Sequence, residues 1–209
     1  MNGSRRRNCF LFSLFAACFF FAQLAGAAPV TFKFHATVAE VNDPGGLLSG
    51  GINAGDVVTG TFVFDTSAQN RAVITTVGAY DFTSGVGIVT KVGTFTFRTD
   101  PAQPNFHIEV INGAKNAAGQ AMDGFVLHSY NNLAVNDSVK LNTISWQLDA
   151  PHGTVGLNGK LPPSAFNLSA WTSKFGLTFE GGDLSDPGTL FLVRSHVTDI
   201  VQVPNGTLP

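Results

Sequence analysis

His107 and Glu109 stand two residues apart in an apolar run at 106–111, and His128 lies in a second run at 124–130. Residues at i and i+2 of a strand share a face, so His107 and Glu109 would point the same way. If the two runs pair as a hairpin, His128 comes opposite them. A His-Glu-His group of this kind could hold zinc or move protons as acid and base. It is the one constellation that could serve a carbohydrate-active enzyme, because glycoside hydrolysis needs two carboxylates and a lyase needs a base beside a sugar carbon. The intervening residues 112–123 read as a long loop that leaves the register open, and polar residues at alternate positions of a solvated strand need no function. The sequence therefore assigns no catalytic residue.

A second candidate is the stretch Glu180-Gly181-Gly182-Asp183-Leu184-Ser185-Asp186. Glu180, Asp183 and Asp186 offer the hard oxygen ligands that calcium accepts in flexible loops. The spacing matches neither an EF-hand nor a glycine-rich calcium repeat, and Asp before Pro-Gly is first of all a turn former. Aromatic rings can stack on sugars, and Tyr80, Tyr130, Trp146 and Trp171 are all the Tyr and Trp the chain has. Trp146 is in phase with Ile144 and Leu148 and reads as core. Trp171, in a Ser/Thr-rich stretch, reads as the exposed ring and the ligand contact. The five histidines, at 35, 107, 128, 152 and 196, show no metal-ligand spacing. Gly-rich phosphate loops, Gly-x-Ser-x-Gly elbows and His-Glu-x-x-His helices are missing.

The elements that must position these residues are strands. Val30, Phe32, Phe34, Ala36 and Val38 alternate with Thr31, Lys33, His35 and Thr37, the period of two that a half-buried strand requires. The same pattern predicts strands at 57–64, 90–98, 106–111, 124–130, 144–148, 175–179 and 190–203. Clusters such as Asn42-Asp43-Pro44-Gly45-Gly46 and Asp183-Leu184-Ser185-Asp186-Pro187-Gly188 punctuate them as turns. Helical spacing does not persist over three turns anywhere, and only 164–171 could hold a turn or two of helix. The expectation is all-β: one antiparallel β-sandwich or jelly roll over residues 28–203, with a short tail at 204–209.

Residues 1–27 read as a secretory signal peptide. Arg5, Arg6 and Arg7 precede an apolar run at 9–22 that ends in Ala25-Gly26-Ala27, the small-residue pattern of a cleavage site. Phe15-Ala16-Ala17-Cys18 is a poor lipobox, since the apolar run continues past the cysteine through Phe19, Phe20 and Phe21. Asn8 and Cys9 stand where a twin-arginine signal wants a hydrophobic pair. Cleavage after Ala27 would remove Cys9 and Cys18, leaving no disulfide, and would lower twelve basic residues to nine against fourteen acidic ones, a formal charge of −5. The remaining lysines are isolated along the chain, which argues against nucleic acid as a partner.

The mature chain resembles a loosely defined group of secreted bacterial β-domain proteins that often carry a PEP-CTERM exosortase sorting tail. The likeness rests on the opening strand through Val41 with Asn42-Asp43-Pro44-Gly45-Gly46-Leu47, and on Ala54-Gly55-Asp56-Val57-Val58-Thr59-Gly60-Thr61-Phe62-Val63-Phe64-Asp65. Gly78-Ala79-Tyr80-Asp81-Phe82 and Ile144-Ser145-Trp146-Gln147-Leu148-Asp149 extend it. These motifs belong to a fold and carry no chemistry. The resemblance implies an exported domain, extracellular or in the cell envelope, of an organism that makes exopolysaccharide. Val203-Pro204 would lead into Pro-Glu-Pro, an apolar span and a basic tip, and is followed instead by Asn205-Gly206-Thr207-Leu208-Pro209. After cleavage the expectation is a chain with no membrane anchor. It is a secreted or periplasmic, non-catalytic protein that contacts extracellular polysaccharide or surface proteins, with an enzyme acting on polysaccharide as the alternative. No cofactor is expected beyond calcium at the 180–186 stretch.

Overall fold

A computed structural model of the chain describes residues 29–136, 139–157, 161, 167–172 and 176–204. The leader expected at 1–27 and the end of the tail at 205–209 lie outside the described residues. Ten strands follow one another: β1 (Val30–Asn42), β2 (Val57–Phe64), β3 (Val77–Phe82), β4 (Gly87–Val92), β5 (Phe95–Arg98), β6 (Phe106–Lys115), β7 (Ala121–Ser129), β8 (Leu141–Pro151), β9 (Leu177–Gly181) and β10 (Phe191–Val203). They join into one curled antiparallel sheet in the order β3-β6-β7-β8-β9-β10-β1-β2-β4-β5, a half-barrel in outline. Among the described residues the helical content is two short 3-10 turns, Leu168–Ala170 and Pro187–Thr189.

The period of two decides which face turns inward. Val30, Phe32, Phe34, Ala36 and Val38 are buried, whereas Lys33 and His35 between them are exposed. Phe32, Phe62 and Phe64 stack with centroids 5.0 to 6.1 Å apart. Trp146 on β8 then meets rings from the other half of the sheet, Phe34 at 6.3 Å and Phe62 at 5.8 Å, and its neighbour Phe125 at 5.7 Å. Near the far edge Phe97 of β5 lies flat on Phe179 of β9 at 4.4 Å. Geometrically specific ring pairs of this kind add roughly 0.5–1.5 kcal/mol each beyond burial.

A buried polar chain fastens the curl where β5 comes back towards β7. The Ile88 N–H donates to Thr99 Oγ1 (3.0 Å), and the Ser129 hydroxyl donates to Asn132 Oδ1 (2.7 Å). That leaves the Thr99 hydroxyl to donate to Ser129 Oγ across 2.8 Å. Backbone bonds from Asp100 N to Asn131 O and from Leu133 N to Arg98 O flank the chain.

Several boundaries depart from the sequence expectation. The run at 90–98 is two strands, because Gly93 adopts φ 56° and turns the chain between Val92 and Phe95. Strand β3, whose residues gave only fold-level text, forms the sheet edge beside β6. The long loop expected at 112–123 is mostly strand: Asn112 pairs with Asp123 and Lys115 with Ala121. Asn116 Oδ1 accepts from Ala118 N and Gln120 N, both at 3.0 Å, and this tight turn sets the register that spacing left open.

Replacing Thr99 with Val keeps its shape but leaves the buried Ile88 N–H without an acceptor and Ser129 without a donor. We expect urea unfolding of Thr99→Val to show a loss of about 1–3 kcal/mol, against less than about 0.5 kcal/mol for Thr96→Val on the outer face.

Candidate binding face

Every second residue of these strands must face outward, and the register lines up a polar rung across seven of them. Asp81 lies opposite His107, His107 opposite His128, His128 opposite Ser145, Ser145 opposite Thr178, Thr178 opposite Arg194, and Arg194 opposite Glu40. The chain thus brings His107, Glu109 and His128 together as the hairpin reading required. His107 is held on both sides, with Nδ1 2.5 Å from Asp81 Oδ1 and Nε2 3.2 Å from Glu109 Oε1. Asp81 in turn accepts from Arg71 Nη1 at 2.6 Å.

His128 has a different environment. Its Nδ1 is buried without a hydrogen-bond partner, and its ring lies flat against Tyr130, centroids 5.3 Å apart. An imidazolium carries an N–H on both nitrogens, and here one would be buried with no acceptor. Burial accordingly pushes the His128 pKa below its ordinary value, the charge of His107 adds to the fall, and Glu109 opposes it. His128 therefore faces its surroundings as a neutral acceptor and donor at neutral pH.

Beside His128 the outer face opens into a groove of about 630 Å³ lined by His128, Ser145, Thr178, Arg194, His196 and Glu40. Its origin is structural. Pairing of β8 with β9 ends at Ser145–Thr178, while β8 runs on to Pro151, so the two neighbours of β9 part there. A bulge on β1 between Val38 and Glu40 places Ala39 at the rim, the use to which bulges are put near sites. Gly176 is required at this point, because a Cβ would run into the Ser195 carbonyl oxygen. The Ser195 side chain is in phase with Val193 and Val197 and turns inward, fully buried, with its Oγ lacking a hydrogen-bond partner. At the rim Arg194 Nη1 donates to Glu40 Oε2 at 3.1 Å, both side chains more than half exposed.

Other expectations about the site are corrected. Trp171 is 5 % exposed and belongs to the core cluster, so it presents no face to a ligand. Its backbone caps the turn Leu168–Ala170, which tucks the ring inward. Tyr130, at 50 % exposure, is the solvent-facing ring. Trp146 is core, as its phase required. Glu180 sits on β9 opposite Leu192 and Thr143 instead of in a loop. Asp183 accepts from the Ser185 N–H and hydroxyl, which hold its carboxyl below the usual range, and Asp186 caps Pro187–Thr189 by accepting from Gly188 N. Glu180, Asp183 and Asp186 are thus not brought together as a calcium cage, and among the described residues no group of three His, Cys, Asp or Glu side chains is placed to hold a metal ion.

Sequence reasoning passed over Ser145, Thr178 and Arg194, ordinary strand residues until register puts them round one groove. It also passed over Asp123, which is fully buried and accepts from Gly113 N, His152 Nδ1 and Gly153 N at 2.7 to 3.1 Å. That carboxylate ties the end of β8 to the β6–β7 hairpin. Comparison of the chain with protein families, curated proteins and solved structures finds no match.

An NMR pH titration reads this environment directly. The His128 imidazole should titrate below about 6.5, the ordinary histidine value. His107→Asn should raise that midpoint and Glu109→Gln should lower it. Since the folded pKa lies below the unfolded one, the contribution of His128 to stability is intact above about pH 6.5 and falls as the pH drops through the window beneath it. His128→Gln should flatten that part of the stability profile.

Proposed function

We propose that this chain is an exported, non-catalytic β-domain, secreted or periplasmic, that holds polysaccharide in the groove beside His128. The observation that carries the reading is the groove beside β9, about 630 Å³, with Ser145, Thr178 and His128 of the outer face along it. This lining suits a neutral glycan, since Ser145, Thr178 and the neutral imidazole of His128 donate and accept without demanding a charged partner. The secretory reading of residues 1–27 and the low share of charged residues, 12 %, support work outside the cell. We read the two halves of the curled sheet, which face each other through Trp146, as the layers of a sandwich of the kind seen in secreted β-domains.

A second reading, an enzyme acting on polysaccharide, has one observation in its favour. Burial pushes the Asp149 carboxyl above its ordinary value, opposed by the Gln147 side chain donating to it at 2.8 Å, while Glu109 occupies the same outer face two strands away. Two carboxyls on one face are what hydrolysis of a glycosidic bond requires.

A glycan array probed with the purified chain, with calcium and again with a chelator, tests the first reading. We expect binding that survives the chelator, because Asp183 and Asp186 are committed to their turns, and a loss of roughly tenfold or more (about 1.4 kcal/mol) for Thr178→Arg, which fills the groove. Silence across the array, or binding indifferent to Thr178→Arg and Ser145→Arg, contradicts it. Release of reducing ends that Asp149→Asn abolishes would move the assignment to the enzyme.

A further inference from the structure

The other half of the outer face carries a charge pattern that the linear sequence hides. Across β10, β1, β2, β4 and β5, one rung reads Val201, Lys33, Thr61, Val89, Arg98 and the next reads Asp199, His35, Thr59, Lys91, Thr96. Lys33 thus shares one patch with Lys91 and Arg98, which lie far from it along the chain. Among the described residues none of the three is in an ion pair. The single acid in these two rungs, Asp199, faces His35 at 3.5 Å. Between the rungs runs a shallow trough of about 250 Å³, floored at the Phe34–Gly60 pair and walled by Lys33, His35, Lys91 and Val89. Val89 and Val201 are 41 % and 48 % exposed.

We infer that this trough binds an acidic polysaccharide, its carboxylates meeting Lys33, Lys91 and Arg98 and its ring faces lying on Val89, Val201 and the threonine methyls. Charge complementarity selects an anion. Lys33 and Lys91 are two strands and one rung apart, on the order of 10 Å between Cα atoms, which a chain of linked uronic acids can span and a single small anion cannot. The alternation of cation with apolar and hydroxyl side chains suits a sugar polymer, whose rings offer C–H faces between their acid groups. Nucleic acid would want a denser row of cations and exposed aromatic rings on which to stack its bases; the trough's Phe34 is buried. The site lies on strands other than those bearing the His128 side of the groove and stands whether or not the groove binds a neutral glycan.

The test is binding of the purified chain to polygalacturonate, to its methyl ester and to single-stranded DNA, at about 50 and about 300 mM salt. The expected result is binding to the acid form that weakens with salt and is lost on esterification. Lys33→Gln with Lys91→Gln should weaken it by roughly tenfold or more, while Lys33→Arg with Lys91→Arg and the groove variant Thr178→Arg retain it. Equal binding of acid and ester, binding untouched by the double glutamine variant, loss of binding in Thr178→Arg, or tighter binding of DNA would each overturn the assignment. Exposed Lys→Gln changes leave the core alone, and an unchanged unfolding midpoint confirms that the variants are folded.

Discussion

Trp146 is where the sheet meets itself. The indole projects from β8 onto Phe34 and Phe62 of β1 and β2, strands three or more places away in the sheet. That contact exists only if the ten strands curl until their aromatic faces oppose. Burying large rings on one face is the strongest single drive available to this chain, since removal of such a ring costs about 3–5 kcal/mol in a packed core. Thr99, Ser129 and Asn132 fasten the curl at its margin, and their hydrogen bonds are directional where ring packing is not. The inner face is thereby spent on stability, and the outer face is left to act.

What the outer face can do follows from the same period of two. Each inward ring forces its neighbours outward, and the antiparallel register turns those neighbours into lateral rungs. One rung runs from Asp81 to Glu40 and passes through the two facing histidines. Two others gather Lys33, His35, Lys91 and Arg98. The halves differ in character. On the groove side charges are compensated, Arg71 by Asp81 and Arg194 by Glu40, and the interior of the groove is hydroxyl and neutral imidazole. On the trough side the cations are left without partners among the described residues. The compensated groove and the uncompensated trough thus occupy different stretches of one outer face.

Much of the fold was legible in alternation, because alternation is what an inner aromatic face requires. The strand from Val30, the inward Phe62 and Phe64, and the core position of Trp146 could be read directly. Long-range register could not. Nothing local says that Ser145 faces Thr178, or that Lys33 and Lys91 share a face, since pairing depends on turns such as Asn116–Gln120 and on which strand β1 chooses as neighbours. Trp171 misled because Ser and Thr around it suggested solvent, whereas the turn at Leu168–Ala170 directs its ring into the core. Glu180 misled in the opposite sense: Gly-Gly after it reads as loop, yet Gly181 pairs with Phe191 and Leu141 in the sheet, and is glycine because Phe191 and the Lys140 carbonyl occupy the space a side chain would need.

The claim on which this account rests is that the outer face of the sheet is a ligand surface, neutral sugars in the groove beside β9 and acidic ones in the trough across β1, β2 and β4. It is tested most directly by mapping amide chemical shifts while the chain is titrated with an oligosaccharide mixture containing neutral and acidic sugars. The account predicts shifts concentrated at Ser145, Thr178 and Arg194 with neutral sugars, and at Lys33, Thr61 and Lys91 with acidic ones. Shifts confined to the loops at 65–76 and 183–190, or none at saturating sugar, would contradict it.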